Sequence, residues 1–174
     1  DITHTVPFPP REFHSNNGSE CITHAAEIRY TKENLPFTRS RGHQKNDTCF
    51  GEQKNGVVVR EYIGYDRLEG REEQALLSAV YTPLVPLLNF FMPTQTLTSK
   101  TRAGSKEIRV YDEPRSPFQR LIKNEELPQE YKNSLRTQCS LYNPVELQQN
   151  VNKAILRLRQ WLAQANRIQT RKQD

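Results

Sequence analysis

Between residues 11 and 40 two short strand-forming runs enclose a segment of helix length, and that order leaves few folds open. Residues 11–15 predict a first strand, followed at once by the turn dipeptide Asn17-Gly18. Residues 19–33 predict a helix capped by Ser19 or Asn17, with Ile22, Ala25, Ala26 and Ile28 as a thin buried side. Asn34-Leu35-Pro36 ends it, because a residue before proline avoids helical angles. Residues 37–40 predict the second strand, and residues 41–47 a polar loop. Two strands joined through a helix pair in parallel by a right-handed crossover. The chain therefore begins as an α/β protein.

Helical signals dominate the rest. A helix is expected from near Thr48 to about Tyr62, with Glu52 in its first turn, although Gly56 weakens it and Val57-Val58-Val59 suits a strand equally well. Over residues 71–91, Leu76, Leu77, Val80, Tyr81, Leu84, Leu87, Leu88 and Phe91 recur at helical spacing, which predicts core packing. Pro83 and Pro86 should kink or split that helix. Residues 100–110 around Ala103-Gly104 predict a small hairpin. Ser116-Pro117-Phe118-Gln119 has the cap, first-turn proline and glutamine of a helix start. Pro128 opens another helix reaching about Ser140. Asn143-Pro144-Val145-Glu146 resembles a capping box, and behind it Leu147, Val151, Ala154, Leu158, Trp161, Leu162 and Ala165 line one face to about residue 165, before a frayed tail. That stripe suits a dimer seam, or packing on neighbours from 117–140, equally well.

Composition narrows the function classes. The 174 residues fit one domain or one and a half, with 34% hydrophobic content and a mean hydropathy of −0.84. No uninterrupted apolar run approaches the roughly 18 residues of a membrane span. The most apolar stretch, 75–92, is broken by Pro83, Pro86 and Asn89, so a membrane is not an expected partner. No basic-then-apolar leader opens the chain, and Cys21, Cys49 and Cys139 are widely spaced and odd in number. Free thiols in a cytoplasmic setting follow. His14 and His24 lack the partners and spacing of a zinc site, and Cys21 lacks the setting of a nucleophile. The charge is lopsided: residues 1–100 carry 11 Lys/Arg against 12 Asp/Glu, whereas residues 101–174 carry 14 against 8. A basic C-terminal portion suits a polyanion, though a solvated helical surface has the same composition.

Thirty-five residues, positions 17 to 51, lie between Asn16 and Glu52. Around them stand VPFPP (6–10), NGSE (17–20), FTRSR (37–41), KND (45–47), EQKN (52–55), VREYIGYDR (59–67), NFF (89–91) and RSPFQRLI (115–122). In that order and at those spacings, over roughly residues 5–165, the chain resembles the C-terminal part of DDE-type bacterial insertion-sequence transposases. These enzymes have an integrase catalytic core of the ribonuclease H-like fold. The resemblance implies an incomplete core, namely a parallel strand–helix–strand unit plus a catalytic helix, followed by a mostly helical C-terminal region. It divides the chain into a core at 1–96, a linker or small hairpin at 97–115 and a basic helical region at 116–174.

In that family two carboxylates corresponding to positions 16 and 52 help to hold two Mg²⁺ or Mn²⁺ ions, which activate the attacking oxygen and stabilise the leaving one during DNA strand transfer. Here position 16 is Asn16, with one carbonyl oxygen and no charge, and fifteen residues precede it, too few for the family's upstream strand with the first aspartate. Glu52 alone cannot hold two divalent cations, so tight metal binding is not expected. Lys45, Lys54 and Arg60 are the residues implied to hold DNA phosphates. Three functions follow: a truncated or degenerate transposase fragment that binds DNA, or associates with an intact transposase or with itself; a domesticated non-catalytic DNA-binding or regulatory protein; or an active enzyme completed by an upstream segment or a second chain. The missing upstream strand would also leave the first strand an open edge.

Overall fold

A computed structural model describes residues 12–15, 28, 31–32, 34–42, 47, 52–53, 55–66, 68 and 70–170, with the backbone alone at 55 and 166–170. The protein is mixed α/β and mostly helical, with small sheets. It divides into two compact units, Asp1–Arg67 and Leu68–Asp174.

In the first unit Phe13–Ser15 (β1) and Phe37–Arg39 (β2) pair in parallel, as the strand–helix–strand order predicts. Phe13 faces Phe37, His14 faces Thr38 and Ser15 faces Arg39. The two phenylalanine rings stack at 6.0 Å with 14° between their planes. Backbone hydrogen bonds continue past the strands, from Phe13 N to Pro36 O (2.9 Å) and from Ser40 N to Ser15 O (3.0 Å). Among the described residues β2 is the one strand partner of β1. Of the helix expected between them, Ile28, Thr31 and Lys32 are helical; the remainder, like the Asn17-Gly18 turn, lies outside the described residues. Its end is clear: Asn34 takes a left-handed φ of 53° and donates its N–H to Thr31 O at 3.2 Å, ahead of Leu35-Pro36.

The competition between helix and strand at 55–60 resolves as a helix wound wide. Glu52 and Gln53 are helical, Asn55–Arg60 forms π turns, and Glu61 and Tyr62 return to α geometry. Three successive β-branched valines crowd an α-helical surface, and Gly56 imposes no α preference, so the looser i→i+5 winding is tolerated. Gly64, at a φ of 97°, ends the segment by donating its N–H to Arg60 O, and Ile63 beside it is buried.

In the second unit Arg71–Pro86 (α1) runs directly into π turns over Leu87–Phe91. The helical run continues past both prolines, but its α winding stops at Pro86 and divides there from the π turns, in line with the expected split. Pro83 and Pro86 each remove an N–H, and the next one, on Leu87, reaches both Leu84 O and Pro83 O; the winding then widens until Met92 N closes on Leu87 O at 3.1 Å. The resulting stretch, Arg71–Phe91, is long and apolar enough by length and composition to cross a membrane, which sequence interruptions had argued against. Within it Val80, Leu84 and Leu87 are buried, and 22% of the most apolar window is buried in all.

What α1 packs against is Pro144–Thr170 (α4), whose Leu147, Val151, Leu158 and Leu162 are buried. Each such side chain contributes about 1.5–3 kcal/mol by leaving water. Trp161 Nε1 donates to Glu72 Oε2 at 3.2 Å across the same pair. The stripe on α4 is thus a core face. Its main partner is α1, not the helices at 117–140. The Asn143 carboxamide accepts from Val145 N at 3.0 Å, an Asx turn in place of the expected capping box, and the helix continues past residue 165 to Thr170. Lys153, Arg157, Arg159 and Gln160 are exposed, off the stripe as expected.

Between them lie Leu97–Ala103 (β3) and Lys106–Tyr111 (β4), an antiparallel hairpin longer than expected, then Pro117–Lys123 (α2) and Gln129–Ser140 (α3). Ala103 pairs with Lys106, leaving a two-residue turn, and Gly104 supplies its positive φ of 64°. The predicted capping box at Ser116 is present: its hydroxyl accepts from Gln119 N, and its N–H donates to Gln119 Oε1. Phe90 ties these parts together, its ring 5.5 Å from Phe118 and 5.6 Å from Tyr142.

Candidate functional site

The carboxyl ends of β1 and β2 lie side by side because the strands are parallel and in register at Ser15 and Arg39. Position 16 follows β1 directly, but Asn16, Lys45 and Lys54 lie outside the described residues. Glu52 is exposed in a helical segment. Arg60 ends the π turns with its guanidinium 5.3 Å from the ring of Tyr65, itself 82% exposed, so a cation lies over an aromatic face in open solvent.

Two polar clusters dress the strand ends, and sequence reasoning had assigned neither. On one face of the pair, Thr38 Oγ1 donates to Glu12 Oε1 at 2.5 Å and lies 2.8 Å from His14 Nδ1, while His14 Nε2 lies 3.1 Å from Ser40 Oγ. Both imidazole nitrogens are engaged by hydroxyls, a role unlike that of a zinc ligand. The cluster depends on the parallel register, which sets His14 opposite Thr38, so residue spacing alone carried little signal for it. After β2, Asp47, which is helical where the sequence predicts the end of a polar loop, accepts from Arg41 N, Nε and Nη2 at 2.9–3.0 Å. The Arg41 side chain, and then its backbone N–H, hold the Asp47 carboxyl well below the usual carboxylate range. Both oxygens of Asp47 are therefore occupied by one guanidinium.

For a pair of divalent cations the donor chemistry is poor. Positions 16 and 52 offer one carboxylate and one amide, and Asp47 is saturated by Arg41. Among the described residues no group of three His, Cys, Asp or Glu side chains converges. The described residues therefore do not by themselves supply the donors of a two-metal centre. Cys139 is a free, half-buried thiol whose pKa burial pushes up; Cys21, Cys49 and His24 lie outside the described residues.

In the second unit the basic surplus is displayed mainly on α4 and on the hairpin, where Lys100, Arg102, Lys106 and Arg109 are all exposed. The hairpin root is fixed firmly. Thr94 and Arg115 exchange both backbone hydrogen bonds (2.9 and 3.1 Å), and Asp112 Oδ1 accepts from Thr96 N at 2.6 Å. Arg120 of α2 donates to Asp112 Oδ2 (2.5 Å), Asp112 Oδ1 (3.2 Å) and Thr94 O (2.6 Å).

Over 114 residues the chain is 36% identical to the uncharacterized protein y4rM of Sinorhizobium fredii (strain NBRC 101917 / NGR234), a match covering 66% of this chain and 33% of that protein. The chain spans about a third of the length of the curated relative it matches. No family model matches it, and no solved structure matches it.

Proposed function

We propose that this chain is the C-terminal part of a DDE-type transposase or integrase, degenerate at its metal site and retaining DNA binding. The observation that carries the reading is the parallel β1–β2 pair. Position 16 follows β1 in the chain, and a helical segment bearing an exposed Glu52 comes later, the order of an incomplete ribonuclease H-like core. The carboxyl ends of strands are where open α/β sheets bind ligands.

Catalysis is not part of the proposal. Without a carboxylate at position 16, Mg²⁺ or Mn²⁺ is not held tightly, and the family's strand transfer does not proceed from these residues alone. What remains are basic residues for DNA phosphates, among them Arg60 and, by their place in the sequence, Lys45 and Lys54. A protein of this kind acts in the cytoplasm on the chromosome, alone, as an oligomer or beside an intact transposase. The amide at 16 and the saturated Asp47 equally favour a domesticated, non-catalytic DNA-binding protein.

The test is titration of the purified chain with a 20-base-pair duplex between 50 and 200 mM salt. Binding is expected to weaken linearly in log–log form as phosphate contacts release counterions. Failure to bind duplex at 50 mM salt overturns the reading, and Mg²⁺-dependent strand cleavage by the chain alone overturns the loss of catalysis.

A further inference from the structure

All seven residues of β3 and all six of β4 are exposed, so the hairpin stands out from its unit as a ribbon open on both faces. An isolated two-stranded hairpin is marginal in water. Among the described residues, this one is held at its root, by the Thr94–Arg115 bridge and by Arg120 on Asp112 and Thr94. Its charge is sorted by register. Lys100 lies opposite Arg109, and Arg102 opposite Glu107, which puts three cations and one carboxylate on one face. Glu107 stands between two of them, 2.8 Å from Lys100 Nζ and 2.5 Å from Arg109 Nε, and exposed pairs of this kind are weak. Among the described residues no ion pair engages Arg102 or Lys106, the two cations nearest the turn.

We propose that β3–β4 is a DNA-contacting arm, in which Lys100, Arg102 and Arg109 meet the phosphates of a duplex. The inference rests on the reading of the chain as a DNA-binding fragment and names the element that does the binding. Strands of this length span about 20 Å, and the major groove, about 12 Å wide, admits a two-stranded ribbon. The tip favours nucleic acid over a lipid surface. Ala103-Gly104-Ser105 between Arg102 and Lys106 offers cations and no bulky apolar side chain to insert into a bilayer.

The experiment compares the full chain with two charge-matched triple variants, K100Q/R102Q/R109Q on the arm and K123Q/K132Q/R136Q on α2 and α3, each binding the 20-base-pair duplex over the same salt range. The arm variant is expected to lose about tenfold or more in affinity at 50 mM salt and to flatten the salt slope by about one unit per residue removed, while the helix variant stays within about twofold of the parent. In the unmodified chain, duplex DNA should also protect Lys100 from acetylation more than Lys123 or Lys132, a readout that no variant's folding disturbs. An arm variant that binds like the parent, equal losses in both variants, or no selective protection of Lys100 overturns the arm while leaving DNA binding intact. A parent chain that ignores duplex, or that binds phosphatidylserine vesicles instead, overturns the arm and the DNA-binding reading together.

Discussion

The guanidinium of Arg120 spans both carboxylate oxygens of Asp112, and in doing so fastens the root of a hairpin to a helix separated from the strand by only five residues. The Arg120 side chain, followed by the Thr96 N–H, lowers the Asp112 pKa from 3.8 to about 2. A carboxyl depressed in the folded state contributes stability that is fully present above its ordinary pKa and is lost as pH falls through the folded value. The pH dependence of the melting temperature between about 4 and 2 should therefore be shallower in Asp112→Asn than in the parent. An unchanged slope would mean that the pair contributes nothing.

Arg120→Lys tests geometry at nearly constant charge. A lysine ammonium cannot cover two carboxylate oxygens and the Thr94 carbonyl from one planar fork. Amides from Thr96 to Asp112 are expected to exchange with deuterium faster in this variant, while those of α4 keep the parent's rate.

The seam between α1 and α4 should behave as a core. Leu84 and Leu158 are almost fully buried, and replacing either with alanine is expected to cost about 2–5 kcal/mol in urea unfolding. Leu156, 57% exposed on the same helix, is the control; its alanine variant should stay within about 0.5 kcal/mol.

Ser116→Ala removes, at a buried position, the hydroxyl that accepts from Gln119 N in the first turn of α2, while the backbone N–H at 116 can still donate to Gln119 Oε1. A loss of about 1 kcal/mol is expected in the same measurement, in line with other N-cap deletions.

Glu107→Gln removes the negative charge from the cationic face of the hairpin. Affinity for duplex DNA should rise several-fold at low salt, with the gain fading as salt increases, because the change is electrostatic. Unaltered or weaker binding would argue that Lys100 and Arg109 do not face phosphate.

Much of this fold was legible because its signals are local. Proline after a capping residue marks the starts of α2 and α4, Asn34-Leu35-Pro36 marks a helix end, and strand–helix–strand order fixes parallel pairing without any tertiary information. The unread parts depend on distant partners. The stripe through Val151, Leu158 and Leu162 was plain in the sequence, but its main partner, α1, lies more than fifty residues away. Propensity does not separate α from π winding, so Gly56 with its three valines and the pair Pro83/Pro86 signal a disturbed helix but not the wide turns that follow at Asn55–Arg60 and Leu87–Phe91. Two of the motifs behind the family resemblance, NFF and RSPFQRLI, meet where Phe90 packs against Phe118, so that part of the resemblance is spent on structure. At the candidate site the roles of Glu52 and Arg60 were sought by spacing, whereas His14, Thr38 and Ser40 come together only once the strands are aligned.

Among the described residues, the bonds that anchor the hairpin to the rest of its unit lie at or below Thr96 and Asp112. Its outer half can therefore be lengthened, recharged or removed without breaking a contact that holds the helices of that unit together.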